Sequence, residues 1–163
     1  MSTARTADFG VGLASVNHVG ITVADLDRSI AFYRALTGRE PAGPVELPDT
    51  PEMARCIGVE DAALRAATLR LRNINIDLVE YRRPASGQRL AVNAPTAVHL
   101  CFEVDDFDGV YERLSAAGID FAGEPPPVGP EHGVPKTAYF TDPDGVHLEL
   151  ILPVGPLVRT GEG

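Results

Sequence analysis

Apolar and polar residues alternate along several short stretches of this chain, and residues 97–106 show the pattern most clearly. Apolar side chains occupy every second position there, namely Val98, Leu100, Phe102 and Val104. The positions between them carry His99, Cys101 and Glu103. Because successive side chains of a β-strand point to opposite faces, the pattern predicts a strand with one apolar face and one face that carries a histidine. The histidine face is either exposed to solvent or part of a site that uses imidazole, sulfur and carboxylate groups.

A longer arrangement of elements occurs twice along the chain. Residues 16–38 and 97–118 both begin with a histidine-bearing strand, and both continue into a helix that follows an aspartate and ends near a glycine. Equivalent positions lie 81 residues apart, as His18 and His99 (99 − 18) and Asp25 and Asp106 (106 − 25) show. The two aspartates suit helix N-caps, and the glycines, Gly38 and Gly118, suit left-handed C-caps. The sequence therefore predicts an internal duplication.

The rest of each half predicts three more strands. A short strand is expected at residues 39–46 and 119–124, followed by two strands around a tight turn in residues 63–81 and 137–152. Residues 47–62 and 125–135 are expected to be loops. The order βαβββ therefore occurs twice, which predicts an α+β fold of two tandem units. The expected boundaries are 14–81 for the first unit, 82–95 for a linker, 96–153 for the second unit, and 1–13 and 154–163 for flexible termini.

The composition limits the partners of the chain. A formal net charge of −9 argues against nucleic acid and against an anionic membrane surface, because both would repel such a protein. Two cysteines are too few for a disulfide framework. No run approaches the ~18 apolar residues of a membrane span, and the first residues lack the apolar segment of a signal peptide. We therefore expect a cytoplasmic protein with reduced thiols.

The last strand of each unit places a carboxylate on the histidine-bearing face. In residues 147–152 the leucines at every second position suit a helix-covered face, so Glu149 points the other way. In residues 73–81 the helix-facing residues are Ile76 and Leu78, which makes Asp77 the equivalent of Glu149. Glu80 falls on the face of Ile76 and Leu78, and this parity favours Asp77 over it.

Four side chains thus occupy equivalent places in a repeated fold, namely His18, Asp77, His99 and Glu149. Two imidazoles and two carboxylates can bind a divalent first-row metal and leave positions for water or a substrate. The alternative is that all four lie on a solvated face without a metal.

The chain resembles the vicinal oxygen chelate superfamily, which includes glyoxalase I, methylmalonyl-CoA epimerase, extradiol dioxygenases and bleomycin- or fosfomycin-resistance proteins. The resemblance covers residues 14–153 and rests on "NHVGITVADLDRSIAFYRALTG", "INIDLVEY", "HLCFEVDD" and "YFTDPDGVHLEL". It implies that the two units curl into a cup of mixed sheets around one divalent ion (Zn, Ni, Co, Mn or Fe). The implied ligands are His18, Asp77, His99 and Glu149.

Asp77 departs from the superfamily pattern, because relatives usually carry glutamate or glutamine there. Its shorter side chain could lengthen the bond to the ion, make it water-mediated, or leave three ligands. Relatives pair their units either within a chain or between chains, and a homodimer is the expectation for this one.

Within the superfamily the chain is most similar to metal-dependent epimerases, including those that act on cyclitol-type ketones. The resemblance implies an enzyme that removes a proton alpha to a carbonyl, through a metal-chelated enolate or enediolate, and returns it to the other face. The substrate would be a small molecule with vicinal oxygens. Two carboxylates on opposite sides of that substrate suit the task, and the candidates for them are Glu149, Asp77 and, third, Glu103.

Three alternatives share the same fold. A lactoylglutathione lyase of the glyoxalase I type would use the same ligands and would need a thiol-binding region, for which the candidate cations are Arg55, Arg72, Arg82 and Arg83. An extradiol ring-cleavage dioxygenase would hold iron with His18, His99 and Glu149. The stretch from His132 to Glu149 matches the signature of that group only in part. A metal-free antibiotic-binding resistance protein would hold its ligand in the cup, although such relatives generally lack the full ligand set.

Four further residues are candidates for the site. His132 lies in the Pro/Gly-rich stretch 125–135, which is either a lid over the site or an exposed loop. Cys101 shares the face of His99 and is either a cavity residue or a small buried thiol. Tyr81 and Tyr139 are candidates to donate a hydrogen bond to a substrate, or they pack within the sheets.

Overall fold

Both predicted histidine-bearing strands form in the structure, a computed structural model that describes residues 14–85, 87 and 89–155. The strands are β1 (His18–Val23), β2 (Ala42–Glu46), β3 (Ala63–Arg70), β4 (Asn75–Arg83), β5 (His99–Glu103), β6 (Lys136–Thr141) and β7 (His147–Leu152). The helices are α1 (Leu26–Thr37), α2 (Pro51–Ile57) and α3 (Phe107–Ala116), and a single 3-10 turn lies at Pro130–His132.

The two units form two mixed sheets with the same topology. The first has the strand order β1-β4-β3-β2 and the second has the order β5-β7-β6. In each sheet the histidine-bearing strand lies at the edge and runs parallel to the last strand of its unit, while the other pairs are antiparallel. The predicted α+β fold of duplicated units is therefore confirmed.

The second sheet has one strand fewer than predicted. The prediction of a strand over residues 119–124 is wrong, because that segment makes only an isolated bridge between Phe121 and Phe140. Three consecutive prolines follow at 125–127 and cannot donate backbone hydrogen bonds, so the ladder cannot continue. The bridge still lies next to β6, which is where the topology of the first sheet would place a fourth strand.

A short helix interrupts the predicted loop at residues 47–62. The helix α2 begins after Thr50, whose hydroxyl accepts a hydrogen bond from the backbone N–H of Met53 at 3.2 Å. Pro51 is its first residue, a position at which proline is favoured. A helix of seven residues is only two turns long and is too short for its apolar periodicity to be recognised.

Three of the four predicted helix caps are present, whereas the C-cap of α3 is Ala117 and not the predicted Gly118. Asp25 accepts from the backbone N–H of Arg28 at 3.0 Å, and Asp106 accepts from that of Gly109 at the same distance. Gly38 caps α1 in the left-handed conformation, with φ 65°. These caps fix where each helix starts relative to the strand before it, and hence how each helix covers its sheet.

The termini predicted to be flexible lie mostly outside the described residues, which begin at 14 and end at 155. The strand β4 continues to Arg83, two residues into the predicted linker. Within the described part of the chain, no helix combines the length and the apolar character that crossing a bilayer requires.

The helix-covered faces of both sheets share one hydrophobic core. Its buried strand residues alternate with the predicted ligands, and they include Ile21, Val23, Ile76, Leu78, Leu148 and Leu150. Leu26 and Tyr33 of α1 and Phe107 of α3 belong to the same cluster. Val98, predicted for the apolar face, is instead 69% exposed, because β5 begins only at His99. The opposite faces, which carry the predicted ligands, therefore point away from this shared core.

Buried polar groups join α1 of the first unit to the β6–β7 turn of the second. Asp142 is 4% exposed, and its Oδ1 accepts from the backbone N–H groups of Asp144 at 2.9 Å and Val146 at 2.8 Å. Its Oδ2 accepts from the hydroxyl of Tyr33 at 3.2 Å. Arg28 Nη2 donates to Asp144 Oδ1 at 2.6 Å. Burial raises the pKa values of Tyr33 and Asp142, and the tyrosine stays a neutral donor. We call this network the unit contact.

Substitution of Tyr33 by Phe should weaken the unit contact. We expect Tyr33→Phe to lower the free energy of unfolding by roughly 1–3 kcal/mol, because one buried Asp142 oxygen loses its donor. The loss of stability should be largest at pH values above the raised pKa of Asp142. It should become smaller as the pH falls through that pKa, because a protonated carboxyl group depends less on a hydrogen-bond donor. Urea unfolding at neutral and at acid pH measures both effects. Tyr111→Phe in α3 is the matched control, and an equal loss in the two variants would contradict the expectation.

Candidate metal centre

The first pair of predicted ligands is His18 and Asp77, on the face of the first sheet away from the core. Along the parallel strands β1 and β4, His18 lies opposite Asn75 and Gly20 lies opposite Asp77. The two ligands are therefore diagonal neighbours, and Gly20 has no side chain to stand between them. His18 Nε2 lies 3.8 Å from Asp77 Oδ2, and the two side chains are 49% and 28% exposed.

Neighbouring residues orient both members of this pair. Asn17 Oδ1 lies 2.9 Å from His18 Nδ1 and can accept a hydrogen bond from it, so Nε2 is the ring nitrogen that points toward Asp77. On the other side, the hydroxyl of Thr68 donates to Asp77 Oδ1 at 2.7 Å. The atoms left free, Nε2 and Oδ2, are the two that face each other.

The second pair, His99 and Glu149, has the same diagonal arrangement in the second sheet. In β5 and β7, His99 lies opposite His147 and Cys101 lies opposite Glu149. His99 Nε2 lies 3.1 Å from Glu149 Oε2, and the side chains are 44% and 8% exposed. Glu149 is therefore the more buried carboxylate of the two, since Asp77 is 28% exposed.

Tyr139 and Cys101 flank Glu149. Tyr139 lies directly across from Glu149 on β6, and its ring meets that of His99 edge-on at a centroid distance of 5.6 Å. Burial and a hydrogen bond to Glu149 raise the pKa of Tyr139. Partial desolvation by neighbouring side chains and the nearby Glu149 carboxylate raise the pKa of Cys101 to about 12, which keeps it a neutral thiol. Cys101 nevertheless belongs to the exposed face, and the interpretation of it as a buried residue is wrong.

A single chain does not bring the two pairs together. Among the described residues, no three histidine, cysteine, aspartate or glutamate side chains are grouped as a metal site. Each pair lies on its own sheet, on the face opposite the shared core. The set of four ligands inferred from the sequence is thus present as two separate halves.

Glu80 and Glu103 can be placed relative to these pairs. Glu80 lies on the helix-covered face, where it forms an ion pair with Arg65 Nε and accepts from the backbone N–H of Leu26 at 3.3 Å. The parity argument against Glu80 as a partner of His18 therefore agrees with the structure. Glu103 is exposed at the end of β5, on the face of His99.

Most of the arginines considered for substrate binding are engaged elsewhere. The ion pairs are Arg55 with Glu52, Arg82 with Glu46, and Arg83 with both Asp49 and Asp61. Arg72 is exposed in the β3–β4 turn, His132 is exposed beside Glu131, and Tyr81 is half-buried on β4.

Sequence reasoning missed two residues on the face of the first pair, Thr68 and Arg70. Arg70 lies opposite Asn75, which in turn lies opposite His18, so the three form one row across the sheet. Arg70 is exposed, and among the described residues it has no carboxylate within ion-pair distance. Counting the alternation back from the β3–β4 turn would have placed both residues on the ligand face.

A hollow of about 500 Å³ adjoins the second pair. His99, Thr137 and Tyr139 line one side of it, and Glu124 and Pro126 from the chain before β6 line another. Another hollow, of about 560 Å³, lies beside α2 and is lined by residues between Asp49 and Ala62, well along the chain from any predicted ligand. The hollow next to His99 is the one that a substrate at the second pair would enter.

A comparison with protein families decides the identity of the fold. Residues 15–150 match the model of the Glyoxalase/Bleomycin resistance protein/Dioxygenase superfamily. The chain belongs to this superfamily. Superfamily members of known structure have the same fold, among them a glyoxalase family protein from Bacillus cereus. That protein superimposes with a TM-score of 0.75 at 22% identity, covering 91% of this chain and 100% of the other.

Curated superfamily relatives are epimerases and lyases. A 2-epi-5-epi-valiolone epimerase from Actinomyces sp is 36% identical, covering 88% of this chain and 82% of the relative. A lactoylglutathione lyase from Haemophilus influenzae is 30% identical, covering 82% and 89%. An ethylmalonyl-CoA/methylmalonyl-CoA epimerase from Cereibacter sphaeroides is 29% identical, covering 76% and 85%. These similarities support an enzyme of this superfamily.

Proposed function

We propose that the protein is a metal-dependent epimerase or isomerase that removes a proton next to a carbonyl group and returns it to the opposite face of the same centre. The observation that carries the proposal is the duplicated pair of imidazole and carboxylate groups, His18 with Asp77 and His99 with Glu149. The similarity to a 2-epi-5-epi-valiolone epimerase supports epimerisation among the reactions of the superfamily.

The donor atoms suit a divalent first-row ion. Each pair offers one imidazole nitrogen and one carboxylate oxygen that face each other, and such mixed sets bind these ions well. We propose that His18, Asp77, His99 and Glu149 hold the ion. A bound ion would act as a Lewis acid on the substrate carbonyl and so acidify the adjacent C–H.

The complete set of four donors requires two chains in this proposal. Because each pair faces away from the core of its own chain, the first pair of one chain would meet the second pair of a partner copy. The edge strands β1 and β5 carry the two histidines, and no strand among the described residues pairs with their outer sides. Val16 and Val98, just before these strands, are both 69% exposed, and a homodimer contact would cover them. Two copies related by a twofold axis would form two equivalent sites.

We assign the proton transfer to carboxylates on opposite sides of the substrate. Glu149 is the proposed base, because it combines burial with a longer side chain than Asp77. Its Oε2 also lies 3.1 Å from Nε2 of His99, which lines the hollow together with Tyr139. The hydroxyl of Tyr139, which lies directly across from Glu149 on β6, can hold the orientation of the carboxylate while a proton is moved. The second carboxylate, Asp77 or the exposed Glu103, would return the proton from the other side.

Metal analysis and solvent deuterium uptake test this proposal together. We expect close to one divalent ion per chain in protein purified without chelators, and loss of the ion in His99→Ala. With the ion present, cyclic α-hydroxy ketones should gain deuterium from D₂O at the carbon next to the carbonyl. If the protein neither retains nor takes up an ion, and no ketone exchanges after ions are added, the proposal fails and a metal-free binding protein becomes the better hypothesis.

A lactoylglutathione lyase is the second candidate, favoured by the 30% identity to the Haemophilus influenzae enzyme. It would move a proton between adjacent carbons at the same ligand set. The hemithioacetal of methylglyoxal and glutathione distinguishes the two, because only the lyase converts it to a thioester, which ultraviolet absorbance detects.

A further inference from the structure

The two carboxylates of the candidate metal centre are held differently. Asp77 in β4 lies directly across from Thr68 in β3, and the threonine hydroxyl donates to Oδ1 at 2.7 Å. At the equivalent place in the second unit, Glu149 in β7 lies across from Tyr139 in β6. A short acid thus faces a short hydroxyl side chain, and a long acid faces a long one.

The hydrogen bond from Thr68 makes the two carboxylate oxygens of Asp77 inequivalent. Oδ1 is used by the hydroxyl, while Oδ2 faces His18 Nε2 at 3.8 Å. Without that bond the carboxylate of Asp77 could turn about χ2, because this torsion of aspartate has only broad preferences. Thr68 is itself half-buried between strands and is β-branched, so its hydroxyl has few orientations open to it.

We propose that Thr68 is a positioning residue that fixes Asp77 as a one-oxygen ligand, bound through Oδ2 only. This inference rests on the metal site proposed above and assigns different tasks to its two carboxylates. A carboxylate held by a neighbouring strand suits the retention of an ion and is poorly placed to swing toward a substrate. Glu149, with its longer side chain, is then the carboxylate that moves protons. The departure from glutamate at position 77 is compensated by the hydroxyl that orients the shorter acid.

Titration of the metal-free protein with Co²⁺ alone tests the inference without any substrate. Thr68→Val keeps the shape and the strand preference of threonine but removes the hydroxyl. We expect its Kd for Co²⁺, measured by calorimetry, to rise about 10- to 100-fold, which is the usual effect of losing a residue that orients a metal ligand. Thr68→Ser restores the hydroxyl and should return the Kd to within about threefold of that of the unmodified protein.

Thr22→Val is the matched control, because Thr22 is an exposed threonine on β1 opposite Val79, on the same face of the same sheet. Circular dichroism verifies that all variants fold. X-ray absorption of the Co²⁺ complexes reports the number of oxygen and nitrogen donors, and Thr68→Val should show a changed carboxylate contribution.

Each outcome has one meaning. Weak binding confined to Thr68→Val supports the inference. Unchanged affinity in Thr68→Val, equal weakening in Thr68→Ser, or equal weakening in Thr22→Val overturns it while leaving the metal site intact. If the unmodified protein binds no Co²⁺, the proposed function fails and this inference fails with it.

Discussion

When the metal-free variants His18→Ala and His99→Ala are combined and pair at random, about one quarter of all metal sites are expected to be restored, if each site is shared between two chains as proposed. A mixed dimer has one site that lacks both histidines and one site that contains all four ligands. Random pairing makes about half of the dimers mixed, and each mixed dimer has one intact site of two. The physical basis is the separation of the two pairs on outward faces of one chain.

Co-expression of the two variants with different affinity tags, followed by isolation of the doubly tagged dimer, measures this effect. That dimer should bind one ion for every two chains. The control combines His99→Ala with Glu149→Ala, which damage the same half of the site and should restore nothing. If ion binding is restored in the control pair, or is not restored in the test pair, the site is not shared between chains.

Replacement of Glu149 by Gln is expected to slow deuterium exchange by about 10²- to 10⁴-fold at saturating metal. Glutamine has nearly the same shape and can still accept a hydrogen bond from a neighbour such as Tyr139, but it cannot take up a proton. The loss should therefore appear in the rate at saturating substrate, and excess metal should not rescue it.

Glu112→Gln, on the exposed side of α3, removes the same charge far from the site and serves as the control. The variant Glu103→Gln tests whether Glu103, the other candidate for proton transfer, is the base instead of Glu149. If Glu103→Gln stops exchange while Glu149→Gln does not, the base lies at the end of β5, and Glu149 is a ligand alone.

The sequence pattern predicted much of each unit because local rules determine it. Alternation in the strands assigned Ile76 and Leu78 to the core and excluded Glu80 from the ligand face, and the structure agrees. Aspartate and glycine signals located the ends of α1. The helix α2 was missed because its two turns are too short to show a clear apolar periodicity. The strand at 119–124 was predicted wrongly because the prolines that follow it prevent a ladder of backbone hydrogen bonds.

The relation between the two units could not be predicted in this way. Periodicity shows that a residue such as Tyr33 is buried but not that it meets Asp142, which lies 109 positions further along the chain. The face of Thr68 follows from alternation along β3, but its hydrogen bond to Asp77 depends on how β3 and β4 pair. The face on which each proposed ligand lies is therefore readable from local pattern, whereas the arrangement of these residues depends on tertiary packing.

The outward orientation of the two pairs has a thermodynamic consequence. If each complete site contains groups from two chains, an ion that binds there favours the dimer over the separate chains. By linkage, association must then raise the affinity for the ion by the same factor. Dilution and chelation would act on the same equilibrium. The protein would lose its ion at low concentration even when the free ion is held constant, so ion occupancy would report how many chains are paired.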